Sequence, residues 1–191
     1  MDELETLKNL ILAPYTLKAT ALIGTQRKVG GNQFRHSFSV LGILFDYKYF
    51  YDSVLLKASL LHDLLEELPE TQIDEIRYID YDAPMVVDLV LEVTRRSLEP
   101  KCEYLQRVLY SGSFNAKILK CADRISNLTD LHPDIFDKEY IKNTIADTKK
   151  WVVPMAEQVN KDMLFELQDL IKRRETNLKF SATIWPMKRV D

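Results

Sequence analysis

Apolar residues recur at three- and four-residue intervals along most of the chain, the spacing that lines one face of an α-helix. This pattern predicts helices over about 35–49, 53–68, 83–96, 102–110, 115–130, 137–150 and 160–174, with weaker ones near the N-terminus and around 71–78. Met163, Leu167, Leu170 and Ile171 mark the apolar face of the last of these. Asp82 ahead of Ala83-Pro84 reads as an N-cap followed by an early proline. In the tail, Phe180, Ala182 and Ile184 alternate up to Trp185, which reads as an extended arm that packs on its own helices or meets another copy of the chain. Only five glycines occur, three of them between Gly24 and Gly31, and the prolines stand singly. The punctuation of a many-stranded protein is missing, so the expected fold is all-α.

Composition narrows the function classes. With 191 residues, 46% of them hydrophobic, the chain fits one globular domain with an ample core. Its 26 Lys and Arg against 29 Asp and Glu give a net charge of −3 without any long basic run. Neither nucleic acid nor an anionic membrane is an expected partner, whereas a small phosphorylated molecule needs only a few local cations. The apolar stretches fall far short of the ~20 residues of a membrane span. The start, Met1-Asp2-Glu3-Leu4-Glu5, is acidic where a signal peptide is basic, which predicts a soluble, cytoplasmic protein. Cys102 and Cys121 form no CxxC pair, so neither a disulfide framework nor a cysteine zinc site is expected.

The candidate chemistry lies with three histidines and a few carboxylates. His36 falls in a row with Val40, Ile43 and Tyr47, and His62 in a row with Leu55, Ala58 and Leu65, where either alone could be a hydrogen-bonded core residue. His62 is followed directly by Asp63. Neighbours on a helix lie about 100° apart and can reach one ion docked at the edge between them, as a first-row divalent metal with mixed nitrogen and oxygen ligands would be. Glu66 and Glu67 add a second acidic layer at i+4, at the end of an otherwise hydrophobic helix. Buried charge is costly unless paired or bound to metal. A further carboxylate, Asp123, lies in the apolar stretch Ile118–Asn127 with Asn127 one turn on; an ion pair with Lys120 or Arg124 is its ordinary reading.

Taken together, His36, His62-Asp63 and Asp123 on an all-helical chain resemble the H…HD…D signature of the HD-domain phosphohydrolase superfamily. Gln26 to His36, QRKVGGNQFRH, resembles the Q-x-R-K-x-G-x-x-Y-x-x-H lead-in of the hydrolase domain of RelA/SpoT-type enzymes, with one residue of slack after the Gln. Lys57 to Leu68, KASLLHDLLEEL, resembles A-A-L-L-H-D-x-x-E-D-T; Val90 to Arg95 resembles L-V-x-x-V-T; Lys120 to Leu131, KCADRISNLTDL, resembles K-L-A-D-R-x-x-N-L-R-x-L. Ile145 to Ala156, with Asp147-Thr148 and Pro154-Met155-Ala156, is similar to the E-T…P-L-A helix that closes the domain. The likeness spans roughly 15–158 of the chain, and the family closest to it is that of the small stand-alone alarmone hydrolases. Glu66-Glu67-Leu68 departs from the usual Glu-Asp-Thr, Gln33 stands where an aromatic is usual, Val29 where a small polar residue is common, and Leu22 where many members have a His.

The resemblance implies one HD domain over 1–191, with its motif-bearing core at about 15–158 and a helix and tail over 159–191. It implies a single-metal hydrolase in which His36, His62, Asp63 and Asp123 hold one Mn²⁺-like ion and Glu66 and Glu67 orient and deprotonate water. With no histidine to spare, His132 is not an expected ligand. Arg27, Lys28 and Asn127 are implied to bind the nucleotide, and Thr148 to line the far wall. Arg95 and Lys101 flank a polar segment that could cover the site, with exposed charge as its ordinary reading. The expected reaction removes the 3′-pyrophosphate of guanosine tetra- and pentaphosphate, giving GDP or GTP. The alternatives are another nucleotide phosphohydrolase, such as a 5′-nucleotidase or an NADPH phosphatase, and a nucleotide-binding module without turnover; a homo-oligomer is compatible with all three.

Overall fold

A computed structural model describes residues 3–184. Among the described residues twelve helices follow one another, α1 Glu3–Asn9, α2 Ala13–Ala19, α3 Gln33–Asp46, α4 Ser53–Leu61, α5 Leu64–Glu67, α6 Ile73–Arg77, α7 Ala83–Val93, α8 Lys101–Ser111, α9 Phe114–Thr129, α10 Lys138–Asp147, α11 Val153–Val159 and α12 Lys161–Ile184. A 3₁₀ turn over Thr20–Gly24 follows α2, and a π turn over Thr148–Val152 joins α10 to α11. Among the described residues the extended pairing is one isolated antiparallel bridge, Gln26 to Asn32. The fold is all-α, as the periodicity predicts.

Side-chain caps set where the site-bearing helices begin. Asn32 accepts from the Arg35 amide at 2.9 Å ahead of α3, Asp52 from the Leu55 amide at 2.9 Å ahead of α4, and Ser113 from the Ala116 amide at 3.1 Å ahead of α9. Each satisfies one of the orphan donors of the first turn. Asp82 does precede α7, but its side chain caps nothing there. Its carboxylate instead takes the Ser53 hydroxyl at 2.6 Å and the buried Lys57 ammonium at 2.7 Å. Asp80 takes the same ammonium at 2.8 Å and the Tyr15 hydroxyl at 2.7 Å. This network pairs a charge on the fully packed α4 and ties α2, α4 and the entry to α7 together.

Helix α9 is the central strut, buried at Ala116, Ile118, Leu119, the run Cys121 to Ser126, and Leu128. Helices α3, α4, α7, α11 and α12 pack around it. Three sequence expectations change in detail. The helix expected over 53–68 is broken at His62-Asp63, so Glu66 and Glu67 sit on the separate short α5. The helix expected over 137–150 continues through the π turn into α11, because Pro154 has no N–H to give and its ring crowds the preceding turn. Phe180 to Ile184 are helical, the end of α12, and form no extended arm; Trp185 lies outside the described residues. Cys102 is exposed and Cys121 buried, both as free thiols.

Candidate active site

Three helices converge on one point. His36 comes from the first turn of α3, His62 from the end of α4 and Asp123 from the middle of α9; their exposures are 2%, 3% and 4%. Their ligand atoms all lie within 4.8 Å of one another. His36 Nε2 is 3.2 Å and His62 Nε2 3.9 Å from Asp123 Oδ1. Asp63 flanks the cluster at the break after α4, with Oδ2 3.3 Å from His62 Nε2 and 3.7 Å from His36 Nε2. His132 is exposed, outside the cluster.

Neighbouring groups orient the rings. His62 donates from Nδ1 to the Ser59 carbonyl at 2.7 Å, which fixes that nitrogen as the protonated one and turns Nε2 inward. His36 Nδ1 shares a hydrogen bond with the Ser126 hydroxyl at 3.1 Å. His62 Nε2 is buried without a hydrogen-bond partner. An orphaned imidazole nitrogen among two carboxylates and a second histidine is a donor set suited to a divalent first-row ion, and the hydrogen bond on the far ring nitrogen is the support such ligands need. Burial opposes ionisation of both carboxylates, but Lys120 and the histidines hold Asp123 well below the usual range and His62 holds Asp63 below it. Burial likewise pulls the His62 imidazole down, and Asp63 and Asp123 overcome it to hold the pKa at about 9.

Around the cluster lies a cavity of two lobes. The lobe of about 260 Å³ is lined by His36, Asp63, Glu66, Glu67, Arg95 and Tyr104, among others. The lobe of about 340 Å³ is lined by Arg27, Lys28, Asp130, Phe136, Tyr140 and Thr144, among others. Gln33, Lys101, Lys120, Asp123, Arg124 and Asn127 line both. In the first lobe, burial pushes the Glu66 carboxyl up while the Arg95 amide, 3.3 Å from Oε2, pulls partly back. Glu67 accepts from Gln33 Nε2 at 3.0 Å.

The loop before α3 delivers the cations of the second lobe. Gly30 and Gly31 have φ of 86° and 72°, a conformation favouring glycine, and Gly30 N–H closes a turn on the Arg27 carbonyl at 3.0 Å. Arg27 is thereby set against α9, donating to Asp130 Oδ2 at 2.8 Å and Asn127 Oδ1 at 2.9 Å. Lys28 lies 5.8 Å from the centre of the Tyr140 ring, which stacks on Phe136 with centroids 4.8 Å apart. Asn127 also donates to Asp123 Oδ1 at 2.5 Å. Thr148 is not brought to the cavity. It is fully buried in the π turn and its hydroxyl donates to the Thr144 carbonyl at 2.6 Å, so Thr144, one turn earlier, stands at the wall instead.

Among proteins of known function, the guanosine-3′,5′-bis(diphosphate) 3′-pyrophosphohydrolase MESH1 of Homo sapiens is 30% identical to the chain over 152 residues, 76% of this chain and 82% of the human protein. The chain belongs to this family. The Mus musculus MESH1 is 34% identical over 106 residues, 54% of this chain and 58% of the mouse protein. A solved structure of a metazoan ortholog of SpoT, described as hydrolysing ppGpp with a role in starvation responses, matches with a TM-score of 0.74 at 25% identity, over 85% of this chain and 94% of that one. No family model matches the chain.

Beside these relatives, the site has features that the sequence reading passed over. Lys120 does pair with Asp123, at 2.6 Å, but in the interior, where it occupies Oδ2 and leaves Oδ1 facing the histidines. Lys120 also lies 5.1 Å from the centre of the Tyr104 ring. Lys120, Asp123, Arg124 and Asn127 fall at i, i+3, i+4 and i+7 of α9, so helical periodicity alone could have placed all four on one face. Lys101, already named in the sequence, lines both lobes and pairs with Asp147 at 2.9 Å.

Proposed function

We propose that the chain is a metal-dependent hydrolase that removes the 3′-pyrophosphate of guanosine 3′,5′-bis(diphosphate) and of the pentaphosphate, giving GDP or GTP and pyrophosphate. The observation that carries this reading is the buried cluster of His36, His62 and Asp123 at the meeting of an acidic lobe and a cationic lobe. Membership in the MESH1 family supports the same substrate class. The chain is read as one HD hydrolase unit over 1–191, with its core at about 15–158 and one ion, acting in the cytoplasm. Among the described residues no helix is long and apolar enough to cross a membrane.

A manganese-like divalent ion held by His36, His62, Asp63 and Asp123 would lower the pKa of a water and offset charge on the phosphoryl group. The Ser59 carbonyl and Ser126 hydroxyl keep the two imidazoles aimed at the centre. Glu66 and Glu67, on the short α5, orient the attacking water and take its proton, and burial raises the Glu66 carboxyl above its ordinary value, which strengthens it as a base once ionised. The water oxygen bonds to the phosphorus on ribose O3′, the P–O3′ bond breaks, and O3′ takes up a proton. Arg27 and Lys28 bind the nucleotide in the second lobe, beside the Phe136–Tyr140 stack, with Asn127 positioned for a ribose hydroxyl.

Incubation of purified protein and Mn²⁺ with guanosine tetraphosphate, a nucleoside 5′-monophosphate and NADPH, with products read by chromatography, tests this reading. GDP formation from the tetraphosphate, preferred over the other two, is the expected result. Preferential release of orthophosphate from the monophosphate or from NADPH would assign the site to another nucleotide phosphatase. Metal and nucleotide binding without release of any product would assign it to a binding module.

A further inference from the structure

Five cations line the wall shared by or adjoining the two lobes with a recognisable partner: Arg27 with Asp130 and Asn127, Lys28 with the Tyr140 face, Lys101 with Asp147, Lys120 with Asp123, and Arg95 with Glu66. Arg124 has none. It is 94% buried by its 6% exposure, its Nε is closed off without a hydrogen-bond partner, and among the described residues its guanidinium enters no hydrogen bond or ion pair. Buried donors are nearly always satisfied, and an exception in a native fold calls for a missing acceptor. Arg124 lines both lobes, immediately after Asp123 on α9. Asp123 does not answer it, since Lys120 already takes Asp123 Oδ2 at 2.6 Å and Asn127 takes Oδ1 at 2.5 Å. The junction therefore carries a guanidinium without a partner beside the histidine cluster.

We propose that Arg124 is a substrate-binding residue that grips the oxygens of the diphosphate being removed, and holds the pyrophosphate once it is free. This rests on the proposed function. The ligand class follows from chemistry. A guanidinium presents a planar fork that matches two phosphate oxygens at once, where an ammonium meets one. Arg27 and Lys28 serve the far lobe, whereas Arg124 stands next to Asp123, where the reacting phosphorus lies in the proposed mechanism. A phosphate one bridging oxygen further along the same diphosphate remains within reach of the junction. Gln33 Oε1, also buried without a partner and lining both lobes, offers an acceptor on the same wall for a hydroxyl or water.

Arg124→Gln and Arg124→Lys, prepared as manganese-loaded holoenzymes, test the proposal through competitive inhibition by inorganic pyrophosphate and by GDP. Arg124→Gln should raise the pyrophosphate inhibition constant and the KM for guanosine tetraphosphate about 10- to 100-fold, the range expected for charge-assisted bonds to phosphate. GDP inhibition should change by less than about threefold, with metal content and thermal midpoint unchanged, and Arg124→Lys should fall between wild type and Gln. Equal weakening of both inhibitors, or unchanged pyrophosphate inhibition, would overturn it. In the wild-type chain the Arg124 Nε–H resonance should shift when pyrophosphate is added, and a still resonance would likewise overturn the assignment even if Arg124→Gln does not fold. If wild-type protein releases nothing from guanosine tetraphosphate, the proposed function fails by itself, and the pyrophosphate titration still decides whether Arg124 binds a diphosphate.

Discussion

Gln33 and Glu67 each differ from the residue usual in the alarmone hydrolases, and the fold joins the two differences by a 3.0 Å hydrogen bond. The extra methylene of Glu67 lets its carboxylate reach the α3 side chain, and the amide in turn limits where that longer acid can point. Glu67→Asp has one torsion fewer to hold and should keep or improve activity on guanosine tetraphosphate. Gln33→Ala should lower kcat in the natural chain and have no effect in the Glu67→Asp background; additive effects in that double-mutant cycle would show the pair to be uncoupled. Glu66→Gln should keep metal and nucleotide affinity while losing on the order of 10²–10⁴ in kcat, as expected on removing a positioned acid–base group. His62→Ala and Asp63→Ala should abolish turnover and metal retention together, while the exposed His132 tolerates alanine. Damage from His132→Ala equal to that from His62→Ala would contradict the one-ion site.

Among the elements, the segment between α7 and α8 is the one whose placement most affects the cavity, because it carries Arg95 and leads into Lys101. Arg107 on α8 anchors it, donating to Glu99 Oε1 at 2.8 Å and Oε2 at 3.0 Å and to the Glu92 and Thr94 carbonyls at 2.9 Å each. Arg107→Ala should cost about 2 kcal/mol in a urea titration and raise KM as Arg95 and Lys101 lose their setting. The Arg107 bond holds the Glu99 carboxyl at about 2, against its burial. A carboxylate depressed in the folded state binds fewer protons there than in the unfolded one, so its stabilisation is whole above about pH 4.5 and drains away as the pH falls toward 2. Glu99→Gln should flatten that part of the stability profile; an unchanged acid limb would remove Glu99 from the anchor. Helices α3, α7, α8 and α9 are legible in the sequence because each buries a regular apolar face, and α3 and α9 also have capping residues, Asn32 and Ser113. The break at His62-Asp63 was hidden because the apolar run continues through it, and the periodicity stopped at 150, short of α11, which only the resemblance of Ile145 to Ala156 to a closing helix covered.

At the scale of the molecule, α3, α4 and α9 bring together residues 87 positions apart, His36 and Asp123, with nothing local to announce the contact. The two histidines of the cluster were nevertheless legible, since few histidines occur and each interrupts an otherwise apolar row, whereas Asp123 shares its face with Lys120, Arg124 and Asn127 and was joined to the histidines only through the resemblance. The cationic face of α9 was not legible: Lys120 and Arg124 look like solvated charge until the helices packed around α9 bury them. Thr148 was misplaced by one turn for a related reason, because the π turn rotates the helix and turns its hydroxyl back onto the Thr144 carbonyl. The central claim is the identity of the bond broken. Guanosine tetraphosphate carrying labelled phosphorus in its 3′-diphosphate, incubated with the protein and Mn²⁺, should yield GDP and labelled pyrophosphate in equal amounts, with both products lost on chelation and in His62→Ala. Label appearing as orthophosphate, label retained on the nucleotide, or turnover that survives chelation would contradict the account.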